Sequence, residues 1–129
     1  MTKISLTRKE LEDFAINVLG IARMELRRMS TQILAQLLQL KINGDARVFF
    51  MAEEIRQLEK VRPGAVHLKL KRDGIRQIAE DWIVFKQFNG SNYYLTLANP
   101  GEGDQNINQR VRQAYEYDFP FLQETLRAK

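Results

Sequence analysis

Cysteine is absent from the 129 residues. That excludes a disulfide framework, thiolate zinc sites, iron–sulfur ligation and a cysteine nucleophile. It also fits a reducing compartment. Histidine occurs once, as His67, so any Ser-His-Asp unit would have to be built on that residue. No Gly-x-Ser-x-Gly elbow and no Gly-Lys-Ser/Thr phosphate loop is present. No stretch reaches the roughly 18–20 consecutive apolar residues that a spanning helix needs. Met1 to Leu11 carry Lys3, Arg8, Lys9 and Glu10 and hold no apolar run. They do not read as a secretory signal, and a cytoplasmic home is the default expectation. No internal repeat and no low-complexity tract interrupts the chain.

The composition is 44% apolar and 28% charged, which argues against the low-hydrophobicity, high-charge signature of disorder. The length suits one domain, 1–129, with a core that needs neither disulfides nor metal. The formal charge of +4 is unevenly placed. Lys60, Arg62, Lys69, Lys71, Arg72 and Arg76 face Asp73 alone, six cations against one acid, so 60–76 carries +5 and the rest −1. Gln77 to Leu126 holds three bases against seven acids, a net of −4. Such polarity suits a partner with a charged face, or a dimer that pairs its own opposite faces.

The first helix is well signalled. Thr7 and Glu10 form a capping-box pattern, and Leu6 and Leu11 fall at the staple positions around it. Leu11, Phe14, Ala15, Val18, Ala22, Glu25, Leu26 and Met29 track one stripe, with Glu25 as a flaw. One helix from Arg8 to Ile42 would be about 52 Å long, more than a compact domain of this size holds. Ser30-Thr31 is the expected break, since both residues favour N-caps. The spacing therefore predicts helices over 8–29 and 31–42, the second stopped by Asn43-Gly44. A third, capped by Asp45, is expected over 46–62 and stopped by Pro63-Gly64. Val48-Phe49-Phe50 leaves a short strand over 47–51 as an alternative.

The apolar period then falls from near 3.6 to 2. In 65–72, Val66, Leu68 and Leu70 point one way and His67, Lys69 and Lys71 the other. Strands over 82–88 and 93–98 are joined by Asn89-Gly90-Ser91-Asn92, a hairpin turn. Residues 74–81 stay ambiguous between helix and strand. A loop at 99–106 precedes a helix over 107–117, capped by Asn106 or Asn108, and a short one over 121–127. The order implies an α+β fold with a small antiparallel sheet.

Several motifs fail on inspection. Gly101-Glu102-Gly103-Asp104-Gln105-Asn106 starts like a dinucleotide fingerprint, but its third glycine is Asn106 and its two acids would repel phosphate. Asp104, Asn106 and Asn108 have calcium-loop spacing, but Gln109 replaces the glycine and Tyr115 the closing acid. Asn89-Gly90-Ser91 fits a glycosylation acceptor, and the turn reading explains it better. Glu53-Glu54 and Glu80-Asp81 are adjacent pairs, and adjacent residues do not share a helix face. Hence no metal and no cofactor is expected.

What remains is His67, Lys69 and Lys71 on one strand face, flanked by Arg62, Arg72 and Arg76, with Tyr93 and Tyr94 on a neighbouring strand. Lysines on an exposed strand commonly serve only to deter edge-to-edge aggregation. The leading expectation is a non-catalytic protein-binding module of the small prokaryotic immunity, antitoxin or adaptor kind. It would act on another protein or on itself, as a homodimer through the N-terminal helices. The alternative is RNA binding, or a metal-independent ribonuclease in which His67, Lys69 and Tyr94 supply the chemistry. There, cations neutralise phosphate, Tyr94 stacks, and His or Tyr moves the proton.

Overall fold

The structure, a computed structural model, describes residues 6–58, 67–71, 80–99 and 101–122, with the backbone alone at 57–58, 67–71 and 80–81. The elements run α1 (Arg8–Asn17), α2 (Arg23–Leu26), α3 (Thr31–Ile42), α4 (Arg47–Leu58), β1 (His67–Lys71), β2 (Glu80–Phe88), β3 (Ser91–Ala98) and α5 (Asp104–Tyr117). The fold is α+β, with the helices, strands and C-terminal helix in the expected order.

The capping box closes α1 as its sequence requires. The Glu10 N–H donates to Thr7 Oγ1 at 3.2 Å, and the Thr7 N–H donates to Glu10 Oε1 at 3.0 Å. The expected 8–29 helix is nevertheless two helices. Gly20, at φ +68°, turns the chain in a backbone region that L side chains rarely adopt. The Ile21 N–H then closes on the Ala15 carbonyl at 3.0 Å. Arg56 of α4 supplies the missing cap, donating from Nη1 to the Leu19 and Gly20 carbonyls at 2.9 and 3.1 Å. The expected break at Ser30-Thr31 does occur. Ser30 is the N-cap of α3, its Oγ accepting from the Ile33 N–H at 3.0 Å.

Residues 47–51 are helical, not a strand; Asp45 Oδ1 accepts from the Arg47 N–H at 3.0 Å at the start of α4. Val48, Met51, Ala52 and Ile55 give that segment one buried face, which outweighs the β-preference of Val-Phe-Phe. The expected continuation over 59–62 and the Pro63-Gly64 stop lie outside the described residues. So do 65–66, 72 and 74–79. Glu80 and Asp81 belong to β2, which reaches them by pairing with β1.

β2 and β3 form a hairpin on an Asn89-Gly90 turn with φ 51° and 80°, two residues shorter than the expected turn, because Ser91 and Asn92 pair with Phe88 and Gln87 and open β3. Positive φ at both central residues is what a two-residue turn needs to match strand twist. The sheet order is β1-β2-β3, all antiparallel. A bulge leaves Leu95 as the extra residue of β3, since Val84 faces Thr96 and Phe85 faces Tyr94. The bulge moves Leu97 away from the face of Tyr93 and Leu95 and places it with Tyr94 and Ile83.

Two apolar layers result. One sheet face, through Ile83, Phe85, Tyr94 and Leu97, packs on α1–α4. The other, through Val84, Leu95 and Ala98, packs on α5 and on Phe119 and Leu122. Helix α5 begins at Asp104, three residues before the expected start, with Gly103 as N-cap and no side-chain cap. Neither Asn106 nor Asn108 caps it; the Asn106 and Ile107 N–H groups both reach the Gly103 carbonyl. Of the expected 121–127 helix, the Leu122 N–H bond to the Phe119 carbonyl at 3.0 Å is described, and 123–127 lie outside the described residues.

Candidate binding surfaces

The two edges of the sheet differ. The β3 edge is covered by the chain just before α3. The Tyr94 N–H donates to the Arg28 carbonyl at 2.7 Å, and the Ser30 N–H to the Tyr94 carbonyl at 2.9 Å. Beyond them, Ser30 Oγ and Gln32 Nε2 reach the Leu95 carbonyl at 2.7 and 3.3 Å. The Gln36 amide then pairs with Leu97 as another strand would. Its Oε1 accepts from the Leu97 N–H at 2.8 Å, and its Nε2 donates to the Leu97 carbonyl at 3.1 Å. Gln32 and Gln36 are four apart and so share a helix face.

The other edge belongs to β1. Its register sets His67 opposite Val84, Lys69 opposite Trp82 and Lys71 opposite Glu80. Directly opposed residues share a face, so the three positions lie on the α5 face, while Leu68 and Leu70 lie on the α1–α4 face. Of the other expected site residues, Arg62, Arg72 and Arg76 lie outside the described residues. Tyr94 is a correction. It is fully buried against α4, its hydroxyl 3.4 Å from the Ile55 carbonyl and its ring 6.2 Å from that of Phe85. It lies on the face opposite to His67 and Lys69, so it neither stacks a base nor completes a proton relay with them. Alternation alone could not reveal this, because both β3 faces are covered.

A third surface is aromatic. Phe119 is buried, in a group of rings with Tyr93, Phe121 and Phe88. Ring centroids lie 5.2 Å apart for Tyr93–Phe119, 5.3 Å for both Tyr93–Phe121 and Phe88–Phe121, and 6.4 Å for Phe88–Tyr93. Edge-on contacts of this kind suit aromatic quadrupoles. Phe88 and Tyr93 are half-buried, and Phe121 is 39% exposed. Phe119 is thus a core plug, while Phe121 forms an open rim.

The charged side chains near α5 serve the fold. Asp118 caps α3 from a distance, accepting from the Thr31 N–H at 3.1 Å and from Thr31 Oγ1 at 2.7 Å. Arg8 lies 3.6 Å from Asp118 and donates to the Leu26 and Met29 carbonyls at 2.6 and 2.8 Å. Beside this group lies a cleft of about 400 Å³, with Leu11, Ala35 and Ala114 among its apolar walls and Gln113 and Tyr117 among its polar ones. Glu102 pairs with Arg110 and accepts from the Asn99 N–H at 3.1 Å. These bonds, the Arg110 one first, hold its carboxyl below the usual glutamate value. The glycine loop is therefore tied down by its own acid, and it offers no phosphate cradle. Asp104, Asn106 and Asn108 lie on helix α5, where alternate residues diverge. Among the described residues, no group of three or more His, Asp or Glu is placed to hold a metal ion. Among those residues, too, no helix is long and apolar enough to cross a membrane.

No protein-family model, no curated protein and no solved structure matches this chain.

Proposed function

We propose that this chain is a non-catalytic binding module that works by protein–protein contact, of the small prokaryotic immunity, antitoxin or adaptor kind. The observation that carries this reading is the aromatic rim. Phe88, Tyr93 and Phe121 form one contiguous apolar surface, partly open, at the end of the β2–β3 hairpin. Contiguous exposed aromatics on a small domain mark contact surfaces, and aromatic side chains supply much of the energy at such sites. Self-association through the N-terminal helices is a version of the same reading; Ile42 and Phe49, both more than half exposed, stand on α3 and α4.

The test is sedimentation of the pure chain, together with recovery of a stoichiometric protein partner from the source cell by wild type and by Phe121→Ser. A homodimer, or a partner lost on substitution, supports the reading. A strict monomer that takes up no protein and cleaves RNA alone removes it.

A second reading, RNA binding, is favoured by one observation: the register sets Lys69 opposite Trp82, which brings a basic and an aromatic position together on one sheet face. It requires RNA affinity to fall steeply with salt, and Lys69→Ala with Lys71→Ala to flatten that slope. The ribonuclease version loses Tyr94 to the core and would rest on His67 and Lys69, with loss of cleavage in His67→Ala as its requirement.

A further inference from the structure

We propose that the outer edge of β1 is a strand-addition site that takes an extended acidic segment of a partner protein, with Glu or Asp at every second residue. This inference rests on the protein-binding reading and names a partner chemistry for it.

The first observation is the contrast between the edges. The β3 edge has its backbone groups met by Arg28, Ser30, Gln32 and Gln36. The outer edge of β1 pairs with no strand among the described residues. An exposed edge presents a row of N–H and C=O groups in the spacing that another strand completes. Five residues span about 17 Å, enough to align a segment of similar length.

The second observation is charge. On its inner side β1 already makes one opposite-charge pairing: Lys71 lies opposite Glu80, while Lys69 lies opposite Trp82 and His67 opposite Val84. An incoming strand meets the same alternation from the other side. It meets cations or His at 67, 69 and 71, and leucine at 68 and 70. Opposite charge across from 69 and 71 is favourable, and like charge is not. In the sequence, Lys60, Arg62, Arg72 and Arg76 lie within a dozen residues of the strand.

The charge pattern also rules against a second copy of β1 as the occupant. In an antiparallel self-pair that keeps each sheet face continuous, residue i meets residue j of the same parity. Each such register places a member of His67, Lys69 and Lys71 opposite another member of that set. The register that pairs all five residues opposes Lys69 to Lys69, cation to cation, whereas an acidic strand places a carboxylate across from each lysine.

The experiment uses the full chain, four labelled peptides and a labelled uridine octanucleotide, read by fluorescence anisotropy at low and at physiological salt. The first is an eight-residue peptide alternating Glu and Val. The second alternates Lys and Val. The other two are the Glu-Val peptide N-methylated on odd or on even amides, which blocks one backbone edge and leaves the charge intact. The Glu-Val peptide is expected to bind at least tenfold more tightly than the Lys-Val peptide. One N-methylated form should fail and the other bind normally, because an added strand uses one edge only. The Lys69→Glu, Lys71→Glu double variant should reverse the charge preference; the methylated probes need no variant at all. Equal binding by both methylated forms would overturn the proposal, since contact would then be electrostatic without strand pairing. So would no binding of the Glu-Val peptide, or tighter binding of a uridine octanucleotide with the same lysine dependence. If the peptides fail while Phe121→Ser still abolishes uptake of a protein partner, strand addition falls and the binding-module reading stands.

Discussion

Asp118 shows how one side chain far along the chain holds a helix start near its beginning. It accepts two bonds from Thr31 and lies next to Arg8, which in turn serves the carbonyls of Leu26 and Met29. Asp118→Ala removes both bonds to Thr31 and leaves Arg8 with Glu12, at 2.8 Å, as its remaining carboxylate. We expect a loss of about 1–3 kcal/mol, read from urea unfolding. Glu102 acts through protonation. Its native pKa is lowered from 4.5, chiefly by the bond from Arg110. A lowered carboxyl pKa contributes stability that is complete above the unfolded value and is lost as pH falls through the native one. Melting temperature should therefore drop below pH 4.5 more steeply in wild type than in Glu102→Gln. The variant, in turn, should be less stable at neutral pH.

At the scale of elements, the break between α1 and α2 is set by a single backbone angle. A Cβ at Gly20 would meet only Arg56 Nη1, at an ordinary 3.5 Å. The cost of Gly20→Ala is therefore strain at φ +68°, not lack of space. About 1 kcal/mol of destabilisation is expected in chemical denaturation. Helix α3 has a different task, since it guards a sheet edge through Gln32 and Gln36. Gln36→Ala leaves the Leu97 N–H without its acceptor, while the Leu97 carbonyl keeps the Arg110 Nη2 donor at 3.1 Å. The expected result is faster amide hydrogen exchange at Leu97 and about 1–3 kcal/mol lost. Unchanged exchange there would mean that the edge is held by Ser30 and Arg110 alone.

For the whole molecule, the two-layer core separates variants that act on stability from those that act on binding. Tyr94→Ala empties the centre of the larger layer and should cost about 3–5 kcal/mol. Phe121→Ser, on the open rim, gives up its contacts with Phe88, Tyr93 and Phe119 and should cost about 1–2 kcal/mol, less than Tyr94→Ala, while abolishing partner uptake by the folded variant; a cost as large as that of Tyr94→Ala with uptake intact would mean that the rim is core. Much of this architecture was legible beforehand, because it depends on neighbours in sequence. The Thr7–Glu10 box, the Ser30 cap, the Asn89-Gly90 hairpin and the β1 alternation are patterns within a few residues, where local chemistry decides the backbone. The sequence by itself thus determined the α+β class, the order of the elements and the concentration of positive charge around β1. Only the tertiary structure decided the burial of Tyr94, the bulge at Leu95 and the reach of Gln36 to Leu97. The same holds for the service of Arg8, Arg56, Arg110 and Asp118 as caps and clamps. Each of those depends on a partner 13 to 87 residues away, or on which sheet face a second layer covers. A long-range bond leaves no periodic trace in the chain, so nothing in the sequence marks these four charges as holding backbone carbonyls and helix ends.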